Sequence, residues 1–176
     1  MRLDHIAYRV KDRHETAQFF IDTMKYKIET EFKIDFDDGT NADCLVLQSK
    51  NLPELFISDG KIGSIVGDWV EEKKGGGVHH LAYQVDDVEK TMNEWKDKGY
   101  TEFLTDEPLV CDEPKLTQIF TKPSEFTGVI YELIERDSQG FCEKNTKELM
   151  KSTKTYKHRD VRDELNYLGF DDGGEG

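Results

Sequence analysis

The chain lacks the features of membrane, secreted and nucleic-acid-binding proteins. No apolar run approaches the roughly 18 residues that a membrane span needs, and the opening MRLDHIAYRV has a strand pattern, unlike a charged leader before an apolar stretch. Basic residues are in deficit, 24 against 37 acidic ones, and the net charge of −13 repels nucleic acid and anionic membranes. We therefore expect a soluble protein whose partner is a small molecule, and neither nucleic acid nor a membrane.

Cysteine is also scarce. Cys44, Cys111 and Cys142 are an odd number, and no two of them have C-x-x-C spacing. This pattern argues against a disulfide framework and against a zinc knuckle, so we expect reduced thiols and a cytoplasmic location. The 176 residues are 36% hydrophobic, with apolar residues in periodic segments, which predicts one packed domain or two small modules that share a core.

An internal repeat organises the chain. The segments HIAYRV, from His5, and HLAYQV, from His80, share the pattern His-aliphatic-Ala-Tyr-x-Val. Each is followed by a short acidic turn and then by an amphipathic stretch, residues 15–24 in the first half and 88–98 in the second. The repeat predicts two copies of one strand-helix unit.

Three extended segments follow each predicted helix. They are residues 27–34, 43–48 and 54–57 in the first half, and residues 100–104, 116–121 and 128–134 in the second. The predicted fold class is therefore α+β, with two paired β-α-β-β-β modules that form an incomplete barrel. Helices at 143–152 and 159–168 complete the C-terminal part.

The pattern also predicts boundaries within what we expect to be one domain overall. The first module covers residues 1–60, a linking helix and its glycine stop cover 61–77, the second module covers 78–136, and a C-terminal loop and helices cover 137–176. The sequence leaves open whether the modules pair within one chain or between two chains of a homodimer.

The repeat places four side chains of metal-ligand type in two pairs. His5 and His80 begin equivalent strands, and Glu54 and Glu132 begin equivalent last strands. A lone histidine in a strand is more often a hydrogen-bonded core residue, but two at matching positions favour a metal. Glu132 lies in the apolar run VIYELI, where burying even a neutral polar group without a partner costs roughly 2–7 kcal/mol.

These residues predict a divalent metal held by His5, His80 and Glu132, with Glu54 as a further candidate at a strand end where it could also be solvated. Two imidazoles and one carboxylate with open positions are the ligand set of non-haem Fe(II) oxygenases. Iron is therefore favoured, and Zn, Co, Ni or Mn remain alternatives.

The motifs DHIAYRV, GVHHLAYQVDD and YELIER resemble the vicinal-oxygen-chelate superfamily of glyoxalases, bleomycin-resistance proteins and dioxygenases over roughly residues 1–136. Within it, the core is similar to methylmalonyl-CoA epimerase. The string QIFTKP, and GF-x-x-x-N before the closing helix, resemble the C-terminal half of 4-hydroxyphenylpyruvate dioxygenase.

The dioxygenase resemblance implies an Fe(II) enzyme that acts on a 2-oxo acid such as 4-hydroxyphenylpyruvate. It implies that Gln118 and Asn41 orient the substrate and that Phe120 and Phe141 stack on its ring. Without the resemblance, the two phenylalanines would be read equally well as core residues.

The epimerase resemblance implies an isomerase, epimerase or glyoxalase-type lyase that acts through a metal-stabilised enolate. A carboxylate such as Asp37 would move the proton, and Glu54 would join the metal ligands. A dioxygenase needs two metal positions for its substrate and a third for O2, so it permits only three protein ligands. A non-catalytic binding protein of the same fold is a further alternative. We favour the dioxygenase because QIFTKP and GF-x-x-x-N lie outside the shared metal scaffold.

Overall fold

The computed structural model of the protein describes residues 1–154, so the helix predicted at 159–168 lies outside the described residues. The elements in chain order are β1 Arg2–Val10, α1 Arg13–Met24, β2 Lys27–Asp35, β3 Asn41–Ser49, β4 Leu52–Asp59, α2 Ile65–Glu72, β5 Gly76–Gln84, α3 Val88–Asp97, β6 Leu109–Asp112, β7 Lys115–Phe120, β8 Ile130–Arg136 and α4 Glu143–Ser152. None of the helices within residues 1–154 has the length and apolarity that crossing a membrane requires.

The eight strands form one curled sheet with the order β2-β3-β4-β1-β5-β8-β7-β6. The first strands of the two modules, β1 and β5, pair antiparallel at its centre. Each of them also pairs parallel with the last strand of its own module, β1 with β4 and β5 with β8. The predicted α+β fold of two paired modules is confirmed, and the pairing occurs within one chain.

Side-chain caps set the starts of the first three helices. The carboxylate of Asp12 accepts the N–H of Glu15 at the start of α1, and Asp87 likewise accepts the N–H of Lys90 at the start of α3. At α2 the hydroxyl of Ser64 does the same. Such caps satisfy backbone donors that have no partner inside the helix. The two acidic turns after the repeated strands therefore start the two equivalent helices, α1 and α3.

Strand β1 separates two environments because its side chains alternate between the faces of the sheet. One alternate set packs in the core beneath α1, namely Ile6, Tyr8 and Val10. The other set lines a cavity on the opposite, concave face, namely His5, Ala7 and Arg9. Helix α4 covers that cavity through Leu149 and Met150.

One predicted strand is wrong. Residues 100–104 form no strand and contribute only an isolated bridge between Phe103 and Thr121. The edge of the second module is instead β6, Leu109–Asp112, which pairs with β7. Phe103 packs beside the α3 core from an irregular segment. The apolar residues of this segment therefore reflect side-chain packing, and they do not report whether the backbone pairs.

The expectation that the cysteines would be reduced is also wrong for two of them. Cys111 and Cys142 form a disulfide, and Cys44 is a buried free thiol. The disulfide joins β6 to the residue before α4. The sequence separation of 31 conceals this proximity, because only the tertiary fold brings the sheet edge to the start of α4. A cytoplasmic location stays a prediction, and the disulfide does not support it.

Candidate metal centre

Three donor side chains converge at the centre of the sheet. The Nε2 atoms of His5 and His80 lie 3.2 Å and 3.1 Å from the same carboxylate oxygen, Oε2 of Glu132. One ligand atom from each of the three residues lies within 4.8 Å of the others. His5 and Glu132 are each 1% exposed, so the three groups meet away from bulk water.

The outer nitrogen of each imidazole is held by a neighbour. Asp4 accepts a hydrogen bond from Nδ1 of His5 at 2.8 Å, which directs the lone pair or proton of Nε2 towards Glu132. Nδ1 of His80 lies 2.8 Å from Nδ1 of His79. Contacts of this kind orient a histidine ligand before a metal arrives, because they fix the ring and its tautomer.

Two consecutive hydrogen bonds link the carboxylate of Glu132 to helix α4. Nε2 of Gln118 donates to Oε1 of Glu132 at 2.7 Å, and Nδ2 of Asn145 donates to Oε1 of Gln118 at 3.2 Å. The side chain of Gln118 is therefore occupied by a ligand and by the covering helix, while it also lines the cavity. Through this relay the position of α4 is coupled to the carboxylate of Glu132.

Charge is distributed unevenly over the three groups. Burial lowers the pKa of His5, but the neighbouring Glu132 and Asp4 carboxylates outweigh burial and raise this pKa to about 9. Burial raises the pKa of Glu132, but the two imidazoles outweigh it and hold that pKa well below its usual range. At His80 burial prevails and the pKa is lowered. These directions predict an imidazolium at His5 paired with a carboxylate at Glu132 in the metal-free protein.

This charge state predicts how metal binding depends on pH. A cation at Nε2 of His5 must displace the proton held there, so at pH 7 we expect one proton to be released per Co(II) bound. The affinity should rise about tenfold per pH unit up to a pH of about 9 and level off above it. Titration calorimetry in buffers of different ionisation enthalpy measures the release.

Asp4→Asn is the matched variant for this measurement. It removes one of the two groups that raise the pKa of His5, so the pH at which the affinity levels off should move down. If Co(II) bound to the wild type at pH 7 with no proton release, the imidazolium-carboxylate pair would be disproved.

A second buried ion network lies beside the triad. Nη2 of Arg136 donates to Asp4 at 2.8 Å and to Glu54 at 3.1 Å, and all three residues are at most 9% exposed. The other carboxylate oxygen of Glu54 accepts from Gln48 at 2.6 Å. Both oxygens of Glu54 are therefore engaged. Among residues 1–154, the cluster able to hold a metal contains His5, His80 and Glu132 without Glu54.

The two carboxylates that the repeat made equivalent differ in register. Glu54 lies opposite His5 across β1 and β4, whereas Glu132 lies opposite Ala82 across β5 and β8. Ile130 occupies the place opposite His80. The equivalence predicted from the repeat therefore holds for the histidines and fails for the carboxylates, and only Glu132 contacts both rings.

Aromatic rings close the cavity beside the triad. The ring of Phe120 lies 4.6 Å from that of His80, and the ring of Phe141 lies 5.2 Å from that of His5, centre to centre. The remaining cavity is about 30 Å³, room for about two water molecules. A substrate larger than this space requires side chains that line the cavity to move apart.

The structure brings together most of the residues singled out in the sequence, but not all. Six of them line the same cavity, namely His5, His80, Glu132, Gln118, Phe120 and Phe141. Asn41 begins β3 outside it. Asp37 lies in a turn with its side chain 78% exposed and ion-paired with Lys147, so a role in proton transfer would require the turn to refold inwards.

Three charged residues around the cavity were missed by the sequence reasoning. Asp4 and Arg136 flank predicted ligands, and Arg9 shares the cavity face of β1 with His5. The available signal was alternation, because residues 5, 7 and 9 of one strand point the same way. A charged residue at such a position, on a strand expected to be buried, needs a partner or a function.

Comparison with known proteins gives the chain its family. A model described as the Glyoxalase/Bleomycin resistance protein/Dioxygenase superfamily matches residues 4–110, a segment that contains both histidines of the triad. The chain belongs to this superfamily. The third residue of the triad, Glu132, lies beyond the matched segment and is placed by the fold.

Relatives within the superfamily include epimerases. The ethylmalonyl-CoA/methylmalonyl-CoA epimerase of Cereibacter sphaeroides is 26% identical over 132 residues, which are 75% of this chain and 96% of that protein. A methylmalonyl-CoA epimerase of Streptomyces coelicolor, solved with 2-nitronate-propionyl-CoA, is 25% identical with a TM-score of 0.57. The match covers 78% of this chain and 99% of the epimerase chain.

A larger protein has a similar fold. A mutant of 4-hydroxymandelate synthase from Streptomyces coelicolor matches with a TM-score of 0.77 and 21% identity, over 87% of this chain. The present chain spans 53% of the length of that synthase. At this identity the likeness shows the fold alone.

The triad fits the divalent metal that is typical of the superfamily. Two nitrogens and one oxygen already converge in a buried place, and hydrogen bonds to Asp4, His79 and Gln118 hold their outer atoms. Nitrogen and carboxylate ligands of this kind suit Fe, Zn, Co, Ni or Mn.

Proposed function

We propose that this chain is a metal-dependent enzyme that acts on a substrate chelated through two oxygens, and specifically an Fe(II) dioxygenase of a 2-oxo acid. The metal ligands are His5, His80 and Glu132. An octahedral ion with three protein ligands keeps three positions open, two for the chelating substrate and one for O2.

The observation that carries the proposal is the position of Glu54. Arg136 and Gln48 engage both of its oxygens, so it is not available as a fourth ligand without loss of two buried hydrogen bonds. Breaking a buried ion pair costs about 3–5 kcal/mol, which opposes recruitment of Glu54 to the metal. A four-ligand site would leave only two open positions, enough for an enolate but not for a chelate and O2.

The protein residues have distinct roles in this reaction. Fe(II), when bound, supplies the chelation of the keto acid and the activation of O2 for oxidative decarboxylation. Asp4 holds the ring of His5, and Gln118 holds the carboxylate of Glu132. Phe120 and Phe141 exclude water and offer faces on which an aromatic substrate can stack. The roles that the resemblance implies for Asn41 and Asp37 would require both residues to approach the cavity.

Anaerobic reconstitution with Fe(II), followed by 4-hydroxyphenylpyruvate and then air, tests the proposal. We expect O2 uptake coupled to release of one CO2 per O2. Glu54→Gln is the matched variant. It should retain Fe(II) binding and the coupling, because Glu54 is not a ligand. Absence of O2 uptake with a panel of aromatic and aliphatic 2-oxo acids, on protein shown to contain iron, would refute the dioxygenase.

An epimerase is the second candidate, supported by the relatives at 25–26% identity. In that reaction the metal stabilises an enolate and a side chain returns the proton to the opposite face. Exchange of deuterium into the carbon next to a thioester, with Co(II)-loaded protein and methylmalonyl-CoA, would support the epimerase. Binding without either reaction would support a non-catalytic binding protein.

A further inference from the structure

Arg9 is a buried cation on the wall of the metal cavity. It is 4% exposed and lines the cavity together with His5, which lies on the same face of β1. Its Nη2 donates to the hydroxyl of Thr153 at 3.2 Å, and its guanidinium lies 5.8 Å from the centre of the Trp69 ring. Among residues 1–154 no carboxylate lies within ion-pair distance of Arg9.

The contrast with Arg136 shows what is unusual about Arg9. Both arginines are almost fully buried, but Arg136 binds two carboxylates and a backbone carbonyl. Arg9 has five N–H donors and makes one hydrogen bond to a neutral hydroxyl. Burial lowers the pKa of Arg9 to about 9, which still leaves it charged at neutral pH. A buried charge without a counter-charge is unfavourable unless a ligand supplies one.

A second unsatisfied donor lies beside Arg9. The indole Nε1 of Trp69 is the one buried side-chain nitrogen or oxygen atom within residues 1–154 that has no hydrogen-bond partner. Buried polar groups are nearly always paired, so an orphan donor indicates a missing acceptor. The Trp69 ring contacts the Arg9 guanidinium on one side and the ring of His79 on another. Two donors without matching acceptors therefore belong to neighbouring side chains, and one of the two, Arg9, lines the cavity.

We propose that Arg9 forms a subsite for an anionic oxygen group of the substrate, such as a carboxylate, on the wall of the cavity and apart from the chelating group. Arg9 lies four positions after His5 in β1, which corresponds to about 13 Å between their Cα atoms. The inference rests on the proposed function, because the metal holds the other end of the same molecule. It specifies the substrate class as a 2-oxo acid with a second acidic group.

A pair of ligands that differ only in that charge tests the subsite. The probes are 4-carboxyphenylpyruvate and its uncharged amide, 4-carbamoylphenylpyruvate. Each is titrated under nitrogen into Co(II)-loaded full-length protein and followed by the visible absorption of the cobalt. We expect the wild type to bind the carboxylate at least about tenfold more tightly, since a charge-assisted pair with Arg is stronger than a neutral hydrogen bond.

Two variants show whether Arg9 is responsible. Arg9→Gln should bring the two affinities within about twofold of each other, and Arg9→Lys, which keeps the charge without the planar fork, should retain part of the preference. Co(II) affinity should be unchanged in both, because Arg9 is not a ligand. If Arg9→Gln does not fold, the wild type and Arg9→Lys still decide. Equal binding of the two ligands by the wild type, or full preference in Arg9→Gln, would overturn the subsite.

The test separates this inference from the reaction type. If the carboxylate preference holds and depends on Arg9, but the Fe(II) protein consumes no O2 with either ligand, the subsite is supported and the dioxygenase is refuted. If O2 is consumed equally well with both ligands at equal affinity, the dioxygenase is supported and the subsite is refuted.

Discussion

Glu132→Gln is expected to lower the affinity for Co(II) or Fe(II) by more than about a hundredfold, since loss of even an outer-shell partner typically costs 10–100-fold. Glutamine keeps the volume of the side chain but removes the negative charge to which both imidazole Nε2 atoms point. The variant should also lower the pKa of His5, because Glu132 is the strongest of the groups that raise it. Equilibrium dialysis against Co(II) measures the affinity.

Glu125→Gln is the control for this substitution. It makes the same chemical change at an exposed position of the second module and should leave the affinity unaltered. Thermal unfolding of both variants without metal establishes that they are folded. If Glu132→Gln bound Co(II) within tenfold of the wild type, the metal would have to lie elsewhere and the proposed enzyme would be refuted.

Arg136→Met is expected to reduce the free energy of unfolding by about 3–5 kcal/mol, the usual cost of removing one partner from a buried ion pair. Its guanidinium binds Asp4 and Glu54, which are 6% and 9% exposed. Without it, two buried carboxylates lose their cation. Arg136 also donates to the carbonyl of Gly140, so the segment that leads to Phe141 and α4 should become less ordered. Urea unfolding of metal-free protein measures the loss.

The double variant Arg136→Met with Glu54→Gln separates charge from packing. Removing the Glu54 charge together with Arg136 should recover part of the lost stability, whereas Glu54→Gln alone should be destabilising. Arg2→Met, at an exposed position of β1, is the control and should change the unfolding free energy by less than about 0.5 kcal/mol. Additive effects of the two single substitutions would show that Arg136 and Glu54 do not interact.

The internal repeat in the sequence was sufficient to predict much of the fold and part of the site. The pattern shared by HIAYRV and HLAYQV predicted two equivalent central strands, and β1 and β5 pair at the centre of the sheet. Because strand side chains alternate, the position of each histidine in its strand also predicted the face it occupies. The donor atoms of His5, His80 and Glu132 do meet within 4.8 Å.

The local sequence pattern did not predict features that depend on strand pairing or on the direction of a loop. Residues 100–104 contain the aromatic and aliphatic residues expected of a strand but do not form one, and Asn41 and Asp37 lie near a turn that the fold directs away from the cavity. The disulfide between Cys111 and Cys142 joins segments that only the complete sheet brings together. These outcomes depend on contacts between segments that are far apart in the sequence.

The amino-acid sequence by itself determined the α+β repeat, the two central histidine strands and the buried carboxylate on the last strand. These follow from side-chain periodicity, which is a local property. Only the tertiary structure decided that Arg136 holds Glu54 away from the three candidate metal ligands. It also decided that Arg9 faces the cavity and that no carboxylate of residues 1–154 lies within ion-pair distance of it. Both depend on which charges come within a few ångströms across different strands, and the register of the sheet sets those distances.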